Sequence, residues 1–187
     1  MAMPPVTRLR EETDPASEDY RIWFDDTPEA NKEWIEKYLT TANEFGQFVD
    51  MKLYPQQVMM LYDETGRDVT VKGRQTRASS LKLARRFRRF VSGSVWGANC
   101  LIAADTDAVT ALFREKIRHH IKDLQRQGYD ISTERDNDEE IVLAGFENRF
   151  VFGSGEQRTL GRGYSIQEAH LSEFAHWQRQ ALEHMGS

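Results

Sequence analysis

Residues 69–87 read VTVKGRQTRASSLKLARRF, and their types and order suit them to hold an anion. An alternating apolar segment passes into a polar loop and then into a basic, helix-like run, the order strand, loop, helix. A loop holds phosphate when its backbone N–H groups turn inward, a helix N-terminus stands behind it, a flexible cation follows the phosphoryl group and a hydroxyl meets magnesium. Only the cation and the hydroxyl are demands on side chains. The common pattern G-x-x-x-x-G-K-[ST] is met at Ser79 alone, because Lys72, Arg77 and Ala78 stand where its two Gly and its Lys would be. Ser79 supplies the hydroxyl, with Ser80 as its neighbour. The long stem of Lys72 lets an ammonium reach from the start of the loop to where the missing lysine would act. Arg77 is the difficult substitution, since a left-handed backbone there costs a non-Gly residue about 1 kcal/mol or more.

These groups need elements to hold them. TPEANKEWIEKYLTTANEFGQF, residues 27–48, opens with Thr, Pro and an acid and repeats Trp34, Ile35, Tyr38, Leu39 and Ala42 at helical steps, which predicts an amphipathic helix. LYPQQVMMLYDE predicts a second helix, with Pro55 in its first turn. Strands are predicted at DVTVKG before the loop, at NCLIAAD (99–105), at EIVLAGF with RFVFGSG (140–155) and at SIQEAHLSE (165–173). Between the second and third, Val109, Leu112, Phe113, Ile117, Ile121 and Leu124 mark one face of a helix that Asp105 or Thr106 caps and Gly128 ends. ERDNDEE, 134–140, reads as a solvated turn. Strands alternating with long helices predict an α/β sheet, mostly parallel and flanked by helices. Such a sheet binds ligands beyond the carboxyl ends of its strands, so the loop around Ser79 and Glu173 after AHLSE should face one site.

With 187 residues, 39% of them hydrophobic, the chain suits one soluble domain, and a single cysteine, Cys100, excludes an internal disulfide framework and suits a reducing compartment. No apolar run approaches the roughly 20 residues of a membrane span, and the N-terminus lacks the apolar core of a secretory signal. Charge is uneven: residues 1–50 hold twelve Asp and Glu against five Lys and Arg, whereas residues 71–90 hold eight Lys and Arg and no acid. Residues 1–26 are expected to form a mobile acidic arm and residues 27–187 the domain. The basic run 82–89 is expected to turn its charges to solvent, to acidic partners or to a neighbouring subunit. His119 and His120 have no second ligand pair nearby, so a metal site there is not expected.

Three stretches, KGRQTRASS, LYPQQ upstream and GRGYSIQEAHLSEFAHW downstream, together resemble the ATPase domain of the large terminase subunit of tailed double-stranded DNA phages. The resemblance covers about residues 50–178. It implies a P-loop-type (ASCE-like) ATPase domain that lacks the family's coupling motif and nuclease domain, so the sheet is expected to be incomplete at its C-terminal side. No nuclease activity is expected from this segment. It further implies Mg2+-dependent ATP hydrolysis driving double-stranded DNA into a procapsid, in a homo-oligomeric ring with portal protein and small terminase subunit, in the host cytoplasm and without a membrane. Residue by residue, Lys72, Gly73, Arg74, Gln75, Thr76, Arg77, Ala78, Ser79 and Ser80 match the phosphate loop. Gln57, with Gln56 as the alternative, matches the glutamine that reads adenine, an amide being able both to donate to and accept from the base edge. Glu173 matches the catalytic glutamate that activates water. Ser172 replaces the aspartate before it, so magnesium falls to Ser79, the phosphates and waters, with Ser172 contributing weakly or through a water. Arg162, with Arg158 competing, matches the arginine finger that acts on a neighbouring subunit's ATP. A nucleotide-binding module without hydrolysis and a structural interaction domain are the rival readings.

Overall fold

Thr27, Pro28 and Glu29 start a helix as their types predict, with Thr27 Oγ1 accepting from the Ala30 N–H at 3.2 Å and Pro28 in the first turn. In the computed structural model, which describes residues 13–66, 68–70, 77–157, 160–174 and 177, this helix (α2) covers Pro28–Tyr38. It stops ten residues short of Phe48 because Thr40–Ala42 (β1) and Phe48–Asp50 (β2) pair as an antiparallel hairpin. Asn43 Oδ1 accepts from the backbone N–H groups of Phe45 and Gln47, both at 2.9 Å, and Gly46 takes φ 74°, so turn chemistry ends the helical run.

The expected arm is corrected for its described part. Glu18–Phe24 is a helix (α1), capped by Ser17 and carrying Glu18 and Asp19 in its first turn. Its Trp23 is 1% exposed, donates from Nε1 to Tyr38 Oη at 3.1 Å and meets Trp34 edge-on at 5.4 Å. A buried indole with its N–H satisfied anchors a segment that charge counting alone assigns to solvent.

Pro55–Tyr62 (α3) and Ala78–Val91 (α4) follow. Asp68–Thr70 are not in a strand, and Val71–Thr76 lie outside the described residues, so the strand expected before the loop is not seen among the described residues. Asn99–Ala104 (β3), the 20-residue helix Asp107–Arg126 (α5), Thr133–Asp136 (β4), Glu140–Leu143 (β5), Arg149–Ser154 (β6) and Ile166–Leu171 (β7) complete the chain. The five strands lie in the order β4-β5-β6-β3-β7. β3 runs parallel to both β6 and β7, while β4, β5 and β6 pair antiparallel. The fold is α/β, but the sheet is mixed rather than mostly parallel, because β4–β5–β6 connects by short turns that only antiparallel neighbours allow. Of residues 134–140, expected as a solvated turn, 134–136 belong to the polar edge strand β4 of that meander and Glu140 opens β5, so only 137–139 turn.

Period-two alternation divides the sheet's two faces. Cys100, Ile102, Ala104, Phe150 and Phe152 join Trp34, Leu81, Phe87, Ile117 and Leu124 in the main core under the helices. Leu101, Ala103 and Val151 point the other way, onto Trp177, Leu160 and Ile166.

The basic run is neutralised inside the chain. Glu64 pairs with Lys82 (3.4 Å) and Arg85, Glu168 with Arg89 (2.9 Å) and Arg86 (3.7 Å), and Asp26 lies 3.5 Å from Arg85 and 3.8 Å from Arg88. Arg88, 1% exposed, donates to Asn31 Oδ1 at 3.0 Å and to the Ile22 carbonyl at 2.8 Å, so it binds α1 and α2 to α4. The expected acidic partners are therefore the chain's own, and some belong to its acidic N-terminal region.

Candidate functional site at the carboxyl ends of the parallel strands

β3, β6 and β7 end together, and the start of α4 faces that end. Ser79 Oγ and Ser172 Oγ lie 3.4 Å apart across 93 positions of sequence, so the first turn of α4 and the residue that follows β7 meet. Ser172 is 5% exposed and is fixed from two sides: its N–H donates to the Ala103 carbonyl at 2.8 Å, and its own carbonyl accepts from Trp177 Nε1 at 3.1 Å. Trp177 in turn lies over Gly155, where an added Cβ would come within 2.9 Å of the indole. Glycine is required there by close approach, and the strand ends are locked beneath the site.

Two non-glycine residues at the site hold left-handed backbones. Arg77, at the N-cap of α4, has φ 52° and ψ 22°, which is the conformation whose cost the missing glycine implied; Glu173 has φ 55°. The Arg77 guanidinium lies 5.7 Å from the Tyr54 ring centroid, a cation–π contact that offsets part of this cost. Its carbonyl accepts from Gln57 Nε2 at 3.1 Å. Gln57 is 1% exposed, and its Oε1 accepts from the Tyr54 N–H at 2.9 Å, completing half of a capping box on α3. Both ends of this amide are thus engaged with backbone in this conformation, and Gln57 joins α3 to the start of α4.

Ser80 points to a residue the sequence reading passed over. Lys116, on α5, donates to Ser80 Oγ at 2.8 Å. The available signal was a lysine set between Phe113 and Ile117 on the border of the apolar stripe. Lys72, Gly73, Arg74, Gln75 and Thr76, together with Arg158, lie outside the described residues. Arg162 is exposed in the turn ahead of β7, flanked by Gly161 and Gly163 at φ 70° and 86°. Six residues of β7 separate that turn from Ser172 and Glu173, about 20 Å of strand, so Arg162 is not brought to the Ser79–Ser172 pair.

The remaining reactive types are absorbed into structure. The Cys100 thiol is fully buried and pushed up to about 12 by desolvation, so it is inert as a nucleophile. His119 and His120 face Asp123 at 3.5 and 3.9 Å. Among the described residues, no group of three His, Cys, Asp or Glu is arranged to hold a metal, and no helix is long and apolar enough to cross a membrane.

What the arrangement can do follows from its donors. Two adjacent hydroxyls, a helix N-terminus without an acid in its first turn and a carboxylate-bearing residue just beyond β7 suit a phosphate ester with its metal. The donor set fits Mg2+ only in a shared form, because Mg2+ in such sites takes one or two protein oxygens and completes its shell with phosphates and waters. No family model matches the sequence, and no curated protein matches it.

Proposed function

We propose that the chain is a nucleotide-hydrolysing motor domain of the large terminase type, which couples Mg2+-dependent ATP hydrolysis to movement of duplex DNA into a procapsid. The observation that supports it is the 3.4 Å approach of Ser79 and Ser172, which sets the helix after the odd loop beside the strand end that leads to Glu173. In this reading Ser79 and Ser172 meet magnesium, the α4 N-terminus and Lys72 receive the phosphates, and Glu173 orients the attacking water. Arg162, remote from its own chain's site, serves a neighbouring subunit in a ring whose further partners are portal protein and small terminase subunit. One feature favours a second reading, nucleotide binding without hydrolysis: a neutral hydroxyl, Ser172, stands where the family has a carboxylate.

The test compares the unaltered chain with Glu173→Gln and Lys72→Ala, measuring nucleotide affinity and phosphate release separately. Glu173→Gln is expected to bind ATP within about threefold of the parent and to lose hydrolysis by 10²-fold or more, since the amide keeps size and polarity but cannot act as a base. Lys72→Ala is expected to lose turnover more severely than Arg74→Ala. Binding without release in the parent itself selects the second reading, and binding of neither ATP nor its analogues overturns both.

A further inference from the structure

We propose that Lys116 is a second phosphate-contacting cation of this site, which moves its ammonium from Ser80 to a non-bridging oxygen of the bound polyphosphate. The inference rests on the nucleotide reading above and adds a residue to it that no loop motif contains.

Lys116 reaches the site from α5, not from the loop, and its Nζ lies 2.8 Å from Ser80 Oγ, one residue beyond the hydroxyl that meets Ser172. The partly buried basic side chains of α4 and α5 otherwise have carboxylate partners: Lys82 and Arg85 have Glu64, Arg86 and Arg89 have Glu168, Arg88 has Asp26, Arg114 has Asp138, and Arg118 has Asp136. Lys116 has none within 4.0 Å among the described residues; its neighbours are a neutral hydroxyl and, at 5.8 Å, the Phe113 ring. Burial lowers its pKa, and the positive charge of Arg77 lowers it further. Two cations, Arg77 at the N-cap and Lys116 on Ser80, therefore attend the positive end of a 14-residue helix whose first turn has no acid. An anion bound at this end offsets their like charges and gives the ammonium a charge-assisted bond in place of the hydration it has lost. Ser80 holds the ammonium in position until then, and a lysine stem can reorient without moving the backbone. The chemical class recognised is a di- or triphosphate group, whose terminal phosphates are the ones this reading sets beside the α4 N-terminus; AMP has none.

Titration of the full chain with ATP, AMP and inorganic tripolyphosphate tests this. Lys116→Met is expected to weaken ATP and tripolyphosphate roughly 10- to 100-fold, the range of one hydrogen bond between charged groups, and to leave AMP unchanged; Lys116→Arg is expected to stay within about fivefold of the parent. In the unaltered chain, the Lys116 13Cε resonance is expected to report a raised pKa on adding tripolyphosphate, a readout that does not depend on any variant folding. Equal ATP affinity in parent and Lys116→Met, or an unmoved resonance in the liganded chain, overturns the role of Lys116 and leaves the nucleotide reading standing. Lys116-dependent binding of tripolyphosphate without binding of ATP keeps the phosphate contact and removes the nucleotide reading. A parent chain that binds none of the three overturns both.

Discussion

Arg77 and Glu173 show how much a single backbone angle can say about a site. Each is a non-glycine residue at φ above 50°, Glu173 directly after Ser172 and Arg77 two residues before Ser79, and such conformations persist where surrounding structure over-determines them. At Arg77 the cation–π contact with Tyr54 and the bond from Gln57 to its carbonyl supply that determination. Arg77→Gly removes the side chain and the strain together, whereas Arg77→Ala removes the contact and keeps the strain. Urea denaturation is therefore expected to find the Gly variant more stable than the Ala variant by about 1 kcal/mol. This position was legible in the sequence, because a pattern that expects Gly says which backbone conformation its replacement must bear. Glu140 was not legible: it sits in a run of acids that reads as solvated, yet its side chain is 4% exposed and meets Arg149 at 2.8 Å, a pairing set by strand register alone.

At the scale of elements, α5 was the most readable and the β1–β2 hairpin the least. Five of the six residues assigned to the apolar face of α5 pack on the core, while Leu112 is 62% exposed. The hairpin was hidden because Leu39 continues the helical spacing into the core just where the chain leaves the helix. What holds it is polar and depends on tertiary structure. Asp123, 2% exposed, accepts from the Thr40 N–H at 2.8 Å and from Thr40 Oγ1 at 2.9 Å, and the His119 ring stacks on Phe48 at 4.1 Å. Burial, opposed by Asp123, holds both His119 and His120 below their ordinary 6.5. Burial also works against the Asp123 charge, but the nearby His120 ring and the hydrogen bonds from Thr40 outweigh it and keep that carboxyl below its ordinary 3.8. The signs agree. Below pH 6.5 the unfolded chain takes protons that the folded imidazoles refuse, so stability falls as pH drops toward their folded values. The Asp123 contribution is complete above its unfolded value and is lost as pH falls through the folded one. Thermal melting is expected to decline from pH 7 to pH 5 and again below pH 4, and Asp123→Ala at pH 7 is expected to cost on the order of 1–3 kcal/mol by leaving the Thr40 N–H unpaired.

For the molecule as a whole, the uneven charge of the chain is a folding instruction. Asp26 and Glu64 meet Lys82, Arg85 and Arg88 of α4, and Glu168 of β7 meets Arg86 and Arg89, so the segment that looks most attractive to a polyanion meets the chain's own acids first. Composition revealed the two charge blocks; only packing reveals that they are partners. The α/β class was legible from the alternation of strand and helix signals, whereas the antiparallel meander was not, since β4 is a polar edge strand with no period-two pattern. The position of Arg162 at the opposite end of β7 from Glu173 makes a forecast that belongs to an assembly. Arg162→Ala and Glu173→Gln proteins are each expected to be inactive alone. Mixed under assembling conditions, they are expected to regain part of the parent ATPase rate, because some interfaces then join an intact Glu173 to an intact Arg162. Co-assembly shown by sedimentation without any regained turnover returns Arg162 to an ordinary surface turn.

If ATP binds here as proposed, the Gln57 amide, occupied at both ends, would impose a clock on ligand entry. A base that recruits it must first displace the Arg77 carbonyl or the Tyr54 N–H, so the encounter and the final complex are separated by an internal step. In stopped-flow mixing, the observed rate with ATP is expected to level off at high concentration, at the rate at which the amide lets go. Tripolyphosphate, having no base to present, is expected to give a rate that rises linearly over the same range. Gln57→Ala removes the internal step, and its ATP trace is expected to become linear while its affinity for the nucleotide falls.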